Sequence, residues 1–449
     1  MKMLAILTIL AGLFLREPPV LAEDHSLPAS MKSNLATEID QRAAIVESKV
    51  IAWRRDIHQN PELGNREVRT AKLVADHLRS LGLEVQTGVA HTGVVGLLRG
   101  EKPGPVVALR ADMDALPVAE EVNIPFASKV KSTYNGQEVG VMHACGHDTH
   151  TAILMGVAEI LSGLKPQLQG SVKFIFQPAE EGPPTGEEGG AALMIKQGVL
   201  ENPKPDAIFG LHVTSSIETG KIAYRSGPLL ASGDMLHLGV RGQQTHGAAP
   251  WRGIDPIVVA SQIVLGLQTI ESRQVDVTKE PSIITIGSIH GGVRFNIIPD
   301  SVEMDGTIRT YDEEMRSDIH QRIKTTAEMI AKSAGASAEV KIDKMYSVTI
   351  NHAGLTEQAV PTLIKAAGGE NANVGPKLTA SEDFSEYQKK IPGFFFFIGV
   401  TPKGTDVSKA ASNHSPRFFV DESGLLLGVR SLAHLTVDYM AMKETKPLP

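Results

Sequence analysis

The chain has 449 residues, 42% of them hydrophobic and 21% charged, with a formal net charge of -7. This composition predicts a globular protein with large cores and two or three domains, or one domain carrying an insertion. The acidic balance without a basic run argues against nucleic acid as a partner, and the single cysteine excludes an intramolecular disulfide framework.

At the N-terminus, Lys2 precedes the short apolar stretch Met3 to Leu15, and Val20-Leu21-Ala22 has small-residue cleavage character. The pattern predicts a signal peptide over 1–22 and an exported protein, periplasmic or secreted. The stretch is too short for a comfortable membrane span, and no later segment is apolar enough to form one. Residues 23–40 read as a loose polar leader.

From residue 41 helical and strand patterns alternate. Ile45 to Asn60 reads as a helix stopped by Asn60-Pro61, and Glu67 to Leu81 as a second helix closed by Gly82. Val106 to Arg110 is a buried strand by its apolar run. Asp148 is a candidate cap for the next helix, whose face carries Ile153, Leu154, Val157, Ile160 and Leu161. Val172 to Gln177 and Ala207 to Val213 read as further strands. Strands separated by helices predict a mostly parallel sheet with helices on both faces.

Around Gly227 the pattern changes. Asp234 to Val240 is a strand, Asp255-Pro256 starts a helix to about Ser272, and Ser282 to Ile289 and Ser301 to Thr310 are strands. A helix from Asp312 to about Ala334 and a strand from Ser337 to Met345 complete a βαββαβ order, the ferredoxin-like arrangement. The α/β pattern then resumes with a helix near 354–367 and the run Phe394 to Val400. The organisation is thus a catalytic domain in two parts, 41–226 and 347–449, interrupted by an inserted domain at 227–346.

The candidate chemistry follows the strands, at the edge where open α/β sheets bind ligands. His143-Ala144-Cys145-Gly146-His147-Asp148 contains the lone cysteine, and a thiolate and an imidazole two residues apart suit zinc, nickel, cobalt or manganese. Cys145 and His147 are therefore the first ligand pair, with His143 and His150 as second-rank contacts. Asp112 and Asp114 cap a turn or orient a ligating histidine through its other ring nitrogen, the role favoured for Asp114. Glu180 and Glu181 are adjacent, so their side chains diverge; one can bind metal while the other faces a water as general base. His212 in its apolar strand reads equally as structural or as a ligand, and His414 in a late polar loop is weak evidence alone. His246, Arg294 and Asn296 lie in the insertion, and His246 reaches the sheet edge only by domain closure or from a second subunit. Their simplest reading is a solvated loop.

These segments together resemble the M20 metallopeptidases, in the branch of hippurate hydrolases, N-acyl-amino-acid hydrolases and auxin-conjugate hydrolases. The resemblance rests on Asp56 to Leu63, Arg110 to Pro117, Met142 to His150, Gln177 to Gly182, Gly210 to Val213, Thr245 to Pro250, Gly291 to Asp300 and Ser381 to Phe384. It implies an α/β zinc-peptidase-like catalytic domain with a mixed sheet and an inserted ferredoxin-like dimerisation domain, hence a homodimer. It implies two divalent ions on Cys145, His147, Glu181, His212 and His414, with Cys145 bridging. Glu180 resembles the general base, Asp114 the acid supporting His147, and His246 the histidine that reaches the substrate, in many relatives from the partner subunit. Arg294 and Asn296 resemble substrate contacts. The implied reaction is hydrolysis of the amide bond of an N-acyl amino acid or small peptide. An exported metallo-carboxypeptidase or dipeptidase, a hydrolase using Cys145 as nucleophile, and a metal-dependent binding protein without catalysis are the alternatives.

Two departures stand out. Pro183 to Glu188 lengthens the loop after the glutamate pair and is placed to narrow or gate the cleft. Gly247 replaces a frequent alanine and is expected to loosen the loop around His246.

Overall fold

A computed structural model describes residues 29–443, with side chains from 34 to 442. The expected signal peptide lies outside the described residues. Among the described residues, no helix is long and apolar enough to cross a membrane.

An eight-stranded mixed sheet organises the larger part. Its order is Glu84–Val89, Gly93–Arg99, Gln169–Gln177, Lys102–Asp112, Ala207–Glu218, Gly393–Thr401, Ile222–Tyr224 and Ala372–Val374. The central strands run parallel, whereas Gly93–Arg99 pairs antiparallel on both sides. The mixed sheet that the family resemblance implies is thus present, with parallel central strands as the local patterns predict; the antiparallel hairpin in the glycine-rich Gly82 to Gly96 segment was not read from the sequence.

Strand side chains alternate between two faces. Val107, Leu109, Phe174, Phe394 and Phe396 join the core under the long helices Ala29–Gln59, His147–Gly163, Ala353–Ala367 and Leu425–Lys443. Ala108, Ile175, Phe395 and Phe397 face the short helices Gly190–Lys196 and Phe384–Gln388 on the other side.

The first helix corrects the expected leader. It starts at Ala29, and Leu35, Ile39, Ala43, Val46 and Val50 form a buried stripe at three- and four-residue spacing. The polar residues between them lie on the solvent face, which makes the segment look like a loop when read by composition.

The inserted sheet has the order Ser282–Gly291, Ser301–Thr310, Gly233–Arg241, Ser337–Tyr346, antiparallel throughout. Its helices Pro256–Arg273 and Glu313–Ser333 begin at side-chain caps: Asp255 accepts from the amides of Ile257 and Val258, and Asp312 from that of Met315. Leu236, Leu238 and Val240 pack beneath both helices. The two connections to the larger sheet run side by side, Gly227–Leu230 pairing with Thr349–Asn351.

Candidate active site

Four chain segments bring the site together. Cys145 precedes the helix His147–Gly163, and Gly146 makes the turn between them at φ +100°, where a Cβ would sit 2.4 Å from Val213 Cγ2. Both the backbone angle and the close approach require glycine there. The capping position falls on Gly146 and not on Asp148. Asp148 is buried in the first turn, where Arg54 Nε and His58 Nδ1 each approach Oδ2 at 2.8 Å.

The sulfur of Cys145 is the centre. Sγ lies 3.2 Å from His212 Nε2 and 3.3 Å from His414 Nε2. His414 Nε2 is also 3.1 Å from Glu181 Oε1. Two sets of ligand atoms thus share the sulfur: Cys145 with His147 and His212, and Cys145 with Glu181 and His414. Within each set the atoms lie within 4.8 Å of one another.

The ring orientations fit a cation. His212 Nδ1 donates to the Val213 carbonyl at 2.6 Å, which turns the lone pair of Nε2 toward the sulfur. His147 Nδ1 is 3.2 Å from Asp114 Oδ1, while its Nε2 is buried with no hydrogen-bond partner. A buried, unpaired nitrogen costs free energy that a bound cation would recover. The carboxylates of Asp112 and Asp114 outweigh burial and push the His147 pKa up to about 10. Protons and cations therefore compete for the same nitrogen.

Asp114 has a second task. Its Oδ2 accepts the Glu181 backbone amide at 2.9 Å, so one carboxylate aligns both a histidine and a glutamate. Glu180 lies deeper, 6% exposed, with Oε2 3.9 Å from His147 Nε2. Burial, and then Glu382 and Glu181, push its pKa well above the usual carboxylate range. A bound cation, which favours the ionised form, would bring such a carboxyl back toward the range of a general base. The preceding Ala179 sits at φ +50°, an uncommon angle for a residue with a Cβ. Its amide donates to the buried carboxyl of Glu67 at 2.9 Å, and Tyr346 of the inserted domain donates to the Glu180 carbonyl at 2.7 Å.

Several of these supports carried no assigned role in the sequence reading. The largest is Arg110, 1% exposed. It binds Gln177 Oε1 at 2.9 Å, Asp112 Oδ2 at 2.5 Å, Glu382 Oε1 at 2.9 Å and Asp383 Oδ1 at 2.8 Å. The signal was a cation ending an apolar strand run, which demands buried acids, but two of those acids lie 272 and 273 positions away. Asp112 also accepts from His150 Nδ1 at 2.6 Å, since His150 Nε2 takes the Val213 amide proton at 2.9 Å. His143 is buried with neither ring nitrogen hydrogen-bonded, and burial lowers its pKa to about 3.

The residues of the insertion stay outside this cluster. His246 is exposed, and its Nδ1 accepts the Ala248 amide at 2.9 Å. Thr245–His246 pairs with Ile297–Ile298, and the Gly247 amide donates to the Asn296 carbonyl at 2.9 Å. The Gly247 backbone packs against Asn296, where an added Cβ would meet the carbonyl carbon at 3.1 Å. Arg294 is exposed, and Asn296 is half-buried with its Oδ1 lacking a partner.

Known proteins share this architecture. Thermostable carboxypeptidase 2 of Saccharolobus solfataricus is 43% identical over 396 residues, 88% of this chain and 96% of its own length. N-acetylcysteine deacetylase of Bacillus subtilis is 37% identical over 397 residues, 87% of this chain and 96% of its own. A Bacillus subtilis crystal structure described as a dinuclear metal-binding peptidase of the M20 family superposes with a TM-score of 0.73 at 35% identity, covering 88% of this chain and 99% of that one. The profile of Peptidase family M20/M25/M40 matches residues 108–438, so the chain belongs to this family.

Proposed function

We propose that this protein is a metal-dependent amidohydrolase that cleaves N-acyl amino acids. The observation that carries the reading is the convergence of Cys145, His147, Glu181, His212 and His414, with the buried Glu180 beside them. A pair of divalent ions on these five residues, of zinc, manganese, nickel or cobalt, would polarise the amide carbonyl and acidify water. Glu180 takes the proton from the attacking water and returns it to the leaving amine. Asp114 keeps the His147 ring and the Glu181 backbone in register for this.

Support for the substrate class comes from the relatives, which include a deacetylase of an N-acetyl amino acid and a carboxypeptidase. Both cleave an amide with a free carboxylate on one side, and Arg294 is suited to such a carboxylate. His246 would stabilise the tetrahedral oxyanion, with Asn296 assisting. Its exposed position on the insertion favours delivery from the partner subunit of a homodimer. The N-terminal pattern of 1–22 favours export to a periplasm or the medium.

The cysteine-nucleophile alternative is disfavoured by electrostatics. Burial, and then the carboxylates of Glu181 and Glu180, push the Cys145 thiol well above its ordinary value. A nucleophilic cysteine needs the opposite environment.

The test combines metal analysis with turnover. The mature protein is assayed on N-acetyl and N-benzoyl amino acids and dipeptides, before and after chelation and metal restoration. Close to two ions per subunit with chelator-sensitive, restorable release of the amino acid is expected. Turnover that survives complete metal removal refutes the reading, and full metal loading without turnover of any substrate favours a binding protein.

A further inference from the structure

The proposed base and its neighbouring ligand are joined by one peptide group, that of Glu180–Glu181. Its N–H donates to Asp114 Oδ2 at 2.9 Å, and its C=O accepts the Tyr346 hydroxyl at 2.7 Å. The group is planar, so its rotation swings the two flanking side chains relative to each other. Both of its polar ends are held by side chains, Asp114 from the catalytic domain and Tyr346 from the insertion.

Little else fixes the turn around this peptide. Ala179 at φ +50° and Gly182 at φ +108° bracket it, and the Gly182 amide meets the Ala179 carbonyl only at 3.4 Å. Among the described residues no backbone amide donates to the Glu180 carbonyl. On a buried residue that carbonyl needs a partner, and the tyrosine hydroxyl is the one it has. The Glu180 carboxyl makes one hydrogen bond, a long one, with the Asp383 amide 3.4 Å from Oε1. Its direction therefore depends on its backbone. Glu181 differs, since Asp114 holds its amide and the His414 ring stands at its carboxylate.

Tyr346 is well placed to act on that peptide. It ends the edge strand Ser337–Tyr346 of the inserted sheet, opposite Gly233 at an irregular point in the register. The next two residues are tied down on both sides. The Ser347 hydroxyl donates to Glu386 Oε1 of the catalytic domain at 2.9 Å, and the Val348 amide donates to Glu313 Oε1 of the insertion at 2.8 Å. Burial, and then Glu180 and Asp383, push the Tyr346 hydroxyl far above its ordinary pKa, which keeps it a donor.

We propose that Tyr346 is a positioning residue for Glu180: its hydroxyl fixes the peptide that joins base and ligand, so the inserted domain sets the direction of the base. This rests on the amidohydrolase reading above. Tyr346 acts through Glu180, and its loss falls on proton transfer rather than on metal loading, because Glu181 keeps its own restraints.

The experiment measures kcat, KM and metal per subunit for the metal-loaded full chain and for Tyr346→Phe and Tyr346→Ala, on the N-acyl amino acid that the wild type turns over fastest. Phenylalanine keeps the ring and removes only the hydroxyl. Both variants should lower kcat about tenfold or more, within the roughly 10²-fold that a misplacement of about 1 Å costs, with KM within about twofold and metal content unchanged. Added to Glu180→Ala, Tyr346→Phe should lower the residual kcat by less than about twofold, because nothing is left to position. A ring that serves packing alone gives the opposite pattern, Tyr346→Phe at wild-type kcat and Tyr346→Ala impaired. That pattern overturns the proposal, as does a Tyr346→Phe penalty that persists undiminished without Glu180, or one that vanishes when activity is referred to bound metal. Those outcomes leave the amidohydrolase reading standing. A wild-type protein that hydrolyses no acyl substrate overturns that reading, and the role of Tyr346 with it.

Discussion

Replacing Arg110 with methionine should destabilise the protein by an amount that the geometry bounds. The guanidinium is fully buried and contacts three carboxylates, those of Asp112, Glu382 and Asp383. Methionine matches much of the volume, so the loss is electrostatic rather than a cavity. Breaking a buried ion pair by removing one partner costs about 3–5 kcal/mol, because a charge is left uncompensated. At roughly 2 °C per kcal/mol for a large domain, the melting midpoint should fall by about 6–10 °C. Protonation relieves part of this: burial already pushes the Asp383 pKa up to about 8, against the opposing pull of Arg110. Without the cation the Asp383 carboxyl holds its proton to still higher pH, so the loss should be larger at pH 8 than at pH 5. Differential scanning calorimetry of the chelated wild type and Arg110→Met at both pH values measures it. A midpoint within 2 °C of wild type at pH 8 would show that the network is not held by this charge.

Glu180→Ala should lower kcat by about 10²–10⁴-fold with the wild-type metal content, as expected for loss of a general base; metal analysis and steady-state kinetics on one sample check both halves. Cys145→Ala removes the atom common to both ligand sets, so metal per subunit should fall sharply after dialysis; full occupancy would refute the shared-sulfur arrangement. Asp114→Asn keeps the side chain's size but removes its charge, and should weaken metal affinity about 10–100-fold by competition with a chromogenic chelator. Glu67 is a buried carboxyl whose pKa is raised to about 8, first by burial and then by Asp114. Its folded-state pKa lies above the unfolded value of about 4.3, so its contribution to stability is present below that value and lost as pH rises toward 8. Glu67→Gln should therefore flatten the fall in stability of the chelated protein between those limits, read by denaturant titration.

The elements readable in the sequence were those whose pattern is local. Asp255-Pro256 and Asp312 announce their helices because a cap and its amides are neighbours in the chain. The Phe394 to Val400 run reads as a buried strand because both faces of that strand are covered. The antiparallel hairpin at 84–99 was lost to its glycines, and Gly96 is small because Leu78 and Leu83 of a neighbouring segment press on it. That reason lies in tertiary packing, beyond the reach of local periodicity.

The site divides along the same line. Cys145 and His147, two apart, and Glu180 and Glu181, adjacent, declare themselves because metal chemistry and base chemistry need those types close together. His212 and His414 do not: a histidine in an apolar strand and another in a polar loop gain meaning only when the fold sets both near one sulfur. The supports are less legible still, since Arg110 meets Glu382 and Asp383 across nearly three hundred positions. Yet their logic follows from the visible half. Several acids gathered around a cationic centre repel one another before any cation binds, so the fold must hold them by other means. Arg110 holds Asp112, Glu382 and Asp383, and Asp114 couples His147 to the Glu181 amide. The ligand cluster is thus braced by charged side chains outside the five proposed ligands, and the substitutions that separate support from ligation are Arg110→Met and Cys145→Ala: the first should act on stability, the second on metal content.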